Sequence, residues 1–360
     1  MKTLTVTTLR SINYGGVIQA FALHHFLKNH KIDNQLLDYC ALKNMYVRIM
    51  PKFSRSTMIA IAEDFFYFVN HKKSSALLER FNKFIDENFK KTRPYSNYND
   101  IINDIPDADV YISGSDQVFG VRGKFDDIRM LQFVPEDKIC ISYAASLGEY
   151  DWNIDEENEF KRRLKRFKYI SVREKYASDY IQKNSGVYPV VNIDPVFLLD
   201  KKDYLKVSSN KINFKRPYIL CYSLISNVDF QKVIDEVKEI TGYETVSVHT
   251  LPMKRIKTDH YVFDAGPAEF LALLNNAKFV ITSSFHGTAL SIIFEKPFYT
   301  LIKNYKSQRI VELLDKFGMS DRIYCGKDIN LNIDFCQCKY IIDKEKSKTD
   351  AYFNKIIIKE

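Results

Sequence analysis

The chain reads as an α/β protein made of two doubly wound, Rossmann-like domains that face a central cleft. Three observations predict this. Short β-rich runs alternate with helical stretches along most of the sequence, the pattern of parallel α/β construction. The 360 residues exceed what one core normally holds, because single hydrophobic cores stop growing at about 250–300 residues. The strand–helix rhythm also breaks at a polar, Lys- and Asn-rich stretch over 201–215 and then restarts.

The expected organisation follows from that break. An N-terminal α/β domain covers 1–205 with a helical insertion at about 56–90, and a Rossmann-like C-terminal domain covers 206–330. A tail, 331–360, is expected to pack back on the N-terminal domain. In chain order, 4–9 is a strand, 11–16 a turn, and 17–28 a helix with Val17, Phe21, Ala22 and Phe26 at helical spacing. Residues 35–39 supply a second strand, and the insertion, Phe-rich and helical, runs over 58–89. Buried strands follow at 109–112 and 140–143, then helix 156–167, strand 169–172, helix 174–183 and strand 189–193. Past the break come strand 218–222, helix 228–240 and strand 245–248. Helix 267–276, strand 279–282, helix 288–294, strand 297–301 and helix 309–317 complete the second domain, and the tail is helical near 350–357.

Composition narrows the class. An apolar fraction of 46% and a charged fraction of 27% are ordinary for a globular protein. Met1-Lys2-Thr3 runs straight into a strand, with no apolar h-region and no small-residue cleavage site, and no run of 18 apolar residues occurs, so a cytoplasmic protein without a transmembrane segment is expected. Cys40, Cys140 and Cys221 lie in apolar runs as small hydrophobes, and the lone pair Cys336 and Cys338 lacks the second pair a zinc site needs. No metal is expected. The formal charge of +8 is spread along the chain with no nucleic-acid-binding motif, so no nucleic-acid partner is expected. An anionic small substrate suits this balance, as does peripheral contact with the anionic inner membrane if the acceptor is lipid-linked.

Ligands of open α/β sheets sit at strand C-termini, so the turns there carry the functional reading. Asn13-Tyr14-Gly15-Gly16 lets backbone N–H groups approach a ligand at a helix start, although a tight start capped by Asn13 explains the same residues. It is not a dinucleotide fingerprint. Ser113-Gly114-Ser115-Asp116-Gln117 and Ser142-Tyr143-Ala144-Ala145-Ser146 follow two further strands, as Asx-type or close-packing turns or as ligand contacts. Arg173 ends a strand just before a helix, placed to grip a carboxylate or phosphate or to pair with Glu174. Asp194-Pro195 reads as a turn former. Ser284-Phe285-His286-Gly287 is the most specific: hydroxyls, backbone N–H groups and an imidazole converge at a helix N-terminus, which suits a phosphate and a proton transfer. His24, His25, His71 and His249 have no such surroundings and read as core or surface residues.

Together these turns resemble the polysaccharide pyruvyl transferase family. The resemblance rests on the segments 13–20, 114–118, 142–146, 171–174, 194–195 and 284–287, with Gly266-Pro267 and Ser307-Gln308-Arg309, in order from about residue 7 to 323. It implies a GT-B-like fold, phosphoenolpyruvate as donor, a glycan or lipid-linked sugar as acceptor, and no metal or organic cofactor. On this reading Arg173 holds the donor's carboxylate or phosphate, and His286 holds the phosphate and the proton. Ser284, Gly287 and Thr288 help hold the phosphate, with Arg309 as a second anion ligand. Asp116 receives the acceptor hydroxyl's proton or hydrogen bond, flanked by Ser115 and Gln117. Asn13, Gly15 and Gly16 line the acceptor side. Competing readings are a nucleotide-sugar glycosyltransferase of the same architecture, with Glu269 toward the nucleoside, and a non-catalytic glycan-binding module.

Overall fold

Two parallel sheets organise the chain. The computed structural model describes residues 1–39, 71–120, 125–148, 152–224, 228–250, 256–302, 307–326 and 329–358. Residues 40–70, and with them Cys40 and the first part of the expected insertion, lie outside the described residues.

In the first sheet β1 (Lys2–Val6) pairs with β2 (Asp33–Leu36) on one side and β3 (Val110–Ser113) on the other, and β4 (Ile139–Ser142) follows β3. All neighbours are parallel, with Thr3 opposite Asn34 and Val110. Both faces of β1 are covered, so its threonines need internal partners. The Thr3 and Thr5 hydroxyls each donate to Asn34 Oδ1 at 2.8 Å. The short β5 (Ser171–Val172) and β6 (Val190–Val191) extend this layer through bridges Ile141–Tyr169 and Ala145–Val172.

The second sheet has the order β11 (Phe298–Thr300), β10 (Phe279–Thr282), β7 (Tyr218–Tyr222), β8 (Glu244–Val248), β9 (His260–Val262). Counted from β7 this is 3-2-1-4-5, a doubly wound order that reverses between β7 and β10. In the first sheet the reversal falls between β1 and β3.

Helices join the strands. They include α1 (Tyr14–Asn29), α2 (His71–Asn88), α3 (Tyr98–Asn103), α4 (Ile154–Leu164), α5 (Lys175–Ser185) and α6 (Lys201–Lys206). Later come α7 (Val228–Thr241), α8 (Pro267–Asn276), α9 (Phe285–Ile293), α10 (Gln308–Phe317) and α11 (Cys336–Phe353). Two of the helix starts that differ from the sequence expectation bear on the turns after β1 and β10. The first begins at Tyr14 rather than 17, because Asn13 Oδ1 accepts the Gly16 N–H at 3.3 Å and places both glycines inside the first turn. The helix after β10 begins at Phe285 rather than 288, because Ser284 Oγ accepts the Gly287 N–H at 3.3 Å. His286 is thus a first-turn helical residue.

Tyr14 fastens the two sheets' helices together. Its ring stacks on Phe270 of α8 at 4.4 Å and 7°, and its hydroxyl donates to the Ala265 carbonyl at 2.8 Å. The tail helix α11 reaches the first sheet, where the Tyr352 hydroxyl donates to Ser142 O at 2.8 Å and Phe353 stacks on Tyr143 at 5.1 Å. No helix among the described residues is long and apolar enough to cross a membrane. Cys140, Cys221 and Cys338 are buried free thiols, while Cys325 and Cys336 are exposed. No group of three His, Cys, Asp or Glu among the described residues is placed to hold a metal ion.

Candidate active site

Both topological reversals open toward the same place. Beside β1 and β3, the Thr7 hydroxyl donates to Ser115 O at 2.9 Å and ties the two strand ends together. Beside β7 and β10, the Thr282 hydroxyl donates to Tyr222 O at 2.8 Å. Between these ends lies a cluster centred on Asp194.

Asp194 is 1% exposed and uses both carboxylate oxygens. Its Oδ1 accepts the Val196 N–H at 3.0 Å and so starts the 3-10 turn Pro195–Leu198, the turn-forming role expected of it. Its Oδ2 does more. It accepts from Arg173 Nη1 at 2.5 Å and from the Ser115 hydroxyl at 3.3 Å, and His286 Nε2 lies 3.5 Å away. Burial alone would push this carboxyl up, but His286 and Arg173 beside it, with the Val196 N–H, hold it far below the usual carboxylate range. Asp194 is therefore a buried, ionised hub as well as a turn former.

Arg173 stands at the end of β5 with its side chain 3% exposed. Its Nε donates to Glu174 at 2.8 Å, and the guanidinium lies over the Phe285 ring at 4.1 Å. The third nitrogen, Nη2, is buried without a hydrogen-bond partner among the described residues. Burial works against its charge, and Glu174, Asp194 and Asp116 outweigh that and raise its pKa. The sequence left two readings for Arg173, a pair with Glu174 or an anion grip. The structure makes the pair and leaves one donor edge over.

His286 faces the first sheet. A Cβ on Gly15 would lie 2.1 Å from its Nδ1 and 2.4 Å from its Cγ, so only glycine at the start of α1 admits the imidazole there. Gly287 is equally constrained, since a Cβ would meet Thr282 Oγ1 at 2.3 Å. Arg173, Ser115, His286 and Gly15 thus come together from four separate turns.

Asp116 adopts φ 75, a left-handed conformation that costs an L-residue energy and that is enriched at functional sites. Its backbone carbonyl accepts the Ser146 N–H at 2.9 Å, and its charge acts on both Arg173 and Tyr222. Gln117, with its amide oxygen turned toward Arg309, accepts from both guanidinium nitrogens at 2.7 and 2.9 Å, which links the first sheet's turn to α10.

Other candidates are drawn into the fold itself. Asn13 is exposed and caps α1, and Gly16 packs against Thr8 and Ser11. The Thr288 hydroxyl is fully buried, donating to Ser284 O at 3.0 Å and 2.6 Å from the Thr300 hydroxyl. Its N–H is bonded to Ser284 O at 2.9 Å, and Ser284 Oγ serves the Gly287 N–H. Ser284, Gly287 and Thr288 accordingly build the turn that presents His286, and their polar groups are largely spent there. Glu269 likewise spends Oε2 on the Gly266 N–H at 3.0 Å.

A cavity of about 400 Å³ opens beside the cluster, lined in part by Arg173, Lys175, Asp194, Phe285, Arg309 and Lys316. Of its lining residues Arg173 and Arg309 were anticipated as site residues, whereas Lys175, Asp194, Phe285, Glu312 and Lys316 were not. The motif containing Phe285 was visible, but only the fold shows its ring under the guanidinium.

Solved structures share this architecture. A Listeria monocytogenes protein assigned as a UDP-N-acetylglucosamine 2-epimerase is 13% identical with a TM-score of 0.54, covering 98% of this chain and 97% of that one. The UDP-GlcNAc 2-epimerase from Neisseria meningitidis, solved with UDP-GlcNAc, is 12% identical with a TM-score of 0.53, covering 99% and 100%. At such identities the likeness is one of fold, and that fold is GT-B. No curated protein sequence matches the chain significantly. Residues 13–304 match the family model for polysaccharide pyruvyl transferase, a span that takes in Gly15, Arg173, Asp194 and His286, and the chain belongs to that family.

Proposed function

We propose that this protein transfers the pyruvyl group of phosphoenolpyruvate to a sugar of a cell-surface polysaccharide precursor, forming a pyruvate ketal and releasing phosphate. The observation that carries the reading is the Asp194 hub, which holds a guanidinium and an imidazole together beside a cavity that Arg173, Lys175, Arg309 and Lys316 help to line. Ketal formation from an enol phosphate needs a proton at C3, a sugar hydroxyl at C2, loss of phosphate, and ring closure by a second hydroxyl. The charge that develops at C2 and on the leaving phosphate calls for an acid and a fixed anion clamp. The donor carries its own leaving group, so this reading calls on no metal or organic cofactor.

Arg173 offers its free edge, and Arg309, fixed by Gln117, a second cation, to the donor's carboxylate and phosphate. His286 supplies the proton: Asp194 stands at its Nε2, and Nδ1 is the nitrogen turned toward the start of α1. Asp116 takes the acceptor hydroxyl's proton, with Asn13 and Gly15 on the acceptor side. A lipid-linked acceptor would bring the protein to the inner membrane surface from the cytoplasm. The nucleotide-sugar alternative needs a carboxylate at the nucleoside, and Glu269, 4% exposed and capping its own helix, serves that role poorly.

The test is phosphate release from phosphoenolpyruvate with galactosyl and mannosyl acceptors. His286→Ala should lower kcat by a factor of about 10²–10⁴, the range for loss of a general acid. Normal turnover in that variant sinks the assignment, and stabilisation by UDP but not by phosphoenolpyruvate favours the alternative.

A further inference from the structure

The N-terminus of α5 (Lys175–Ser185) is capped from the other sheet. Glu174 occupies the N-cap position but makes no side-chain cap bond, because its carboxylate is turned to Arg173. Instead Glu312 of α10, 137 residues away from Lys175, takes over. One carboxylate oxygen accepts the Lys175 N–H at 2.7 Å and the other accepts the Tyr176 N–H at 3.1 Å. Two adjacent N–H groups at a helix start are the arrangement that binds oxyanions. Burial pushes the Glu312 carboxyl up, the two N–H groups hold it down, and Glu174 and Asp179 push it up again. The carboxylate therefore sits on these donors against the charge of its neighbours.

A second observation points to a ligand. Arg173, directly before this helix, is 7% exposed, lines the same cavity as Glu312, and keeps Nη2 without a partner among the described residues. The charges lining that cavity balance: Arg173, Lys175, Arg309 and Lys316 against Glu174, Asp194, Glu312 and Asp315. Withdrawing Glu312 leaves one positive charge in excess.

We propose that Glu312 is a placeholder for a phosphate monoester, occupying the α5 N-terminus in the free protein and giving up those N–H groups when the ligand's phosphoryl group enters. The proposal rests on the pyruvyl-transfer reading in naming a phosphate monoester as the ligand. A dianion that replaces Glu312 keeps both donors satisfied and brings its remaining oxygens within the reach of Arg173 and Arg309. Because Glu312 belongs to α10, the exchange also frees a link between the two halves.

Titration calorimetry with inorganic phosphate on the full chain tests this. Glu312→Ala should bind phosphate roughly tenfold tighter than wild type, the scale of a charge competing at a helix terminus. Glu312→Gln, which keeps an acceptor oxygen but no charge, should fall between them. Unchanged or weaker phosphate binding in a folded Glu312→Gln protein overturns the proposal and leaves Glu312 as a staple. A gain for UDP without a gain for phosphate overturns the ligand class. The two readings fail separately. Tighter phosphate binding without turnover of phosphoenolpyruvate keeps the placeholder and removes pyruvyl transfer. Turnover with no change in phosphate affinity does the reverse.

Discussion

Gly15 and His286 show how tightly single atoms constrain this site. The imidazole occupies the volume a side chain at Gly15 would need, 2.1 Å from the missing Cβ. Gly15→Ala must displace the imidazole or the start of α1. Turnover of phosphoenolpyruvate should fall at least tenfold, while circular dichroism keeps the helical signal, and a fully active alanine variant would remove Gly15 from the site. His24 makes a different point. It is buried against Asn34 at 3.0 Å and the Lys90 N–H at 3.4 Å, and burial, with His25, Lys28 and Lys90, pushes its pKa down to about 4. The folded state keeps it neutral while the unfolded chain protonates near pH 6.5. Its contribution is complete above that pH and is lost as pH falls toward 4, about 3 kcal/mol in all. His24→Gln should flatten this stretch of a urea-midpoint-against-pH curve. At the residue scale the sequence marked Arg173, His286 and the glycines, because each stands in a short turn after a strand-like run. It undervalued Asp194, since the turn-forming signal of Asp-Pro says nothing of what the second carboxylate oxygen meets 79 residues away at Ser115.

Elements were legible where burial is periodic and opaque where it is not. Strands β3, β7 and β10 are covered on both faces and read as apolar runs, and β1 is covered likewise although Thr3 and Thr5 interrupt its apolar residues. By contrast β9 is only three residues, His260–Val262, with one buried side chain, and carries no pattern to read. Helix α11 spans 18 residues but buries only Cys338, Thr349, Tyr352 and Phe353, so only its far end was visible as a packed helix. That end matters most for stability. Phe353 is 3% exposed between Tyr143 and Phe26, and the Tyr143 hydroxyl is 2.9 Å from the Thr349 hydroxyl. Phe353→Ala should cost about 3–5 kcal/mol in urea unfolding. A loss below about 1 kcal/mol, the scale of a surface change, would mean the tail is not anchored there.

For the whole molecule, the strand orders explain where the site must be. Each sheet reverses direction once, and the residues meeting at Asp194 come from the ends of strands beside those reversals or from the short β5–β6 extension. The alternating pattern and chain length were enough to expect two such sheets. How they meet was not legible, because the hydrophobic cluster they share, with Tyr14, Phe21 and Leu77 beside Leu220, Phe270 and Leu290, draws on residues far apart in sequence, and the polar links are single side chains: Tyr14 to Ala265, Arg173 to Phe285, Gln117 to Arg309, Glu312 to Lys175. None of these leaves a periodic trace.

The closeness of Gly15 and His286 also has an evolutionary side. A bulkier residue at the start of α1 is tolerated only if the ring at the start of α9 retreats or shrinks, so Gly15 cannot enlarge alone. A chimera that takes one half from a relative differing at either position would therefore inherit a mismatch at this contact, and functional exchange would require both residues to travel together.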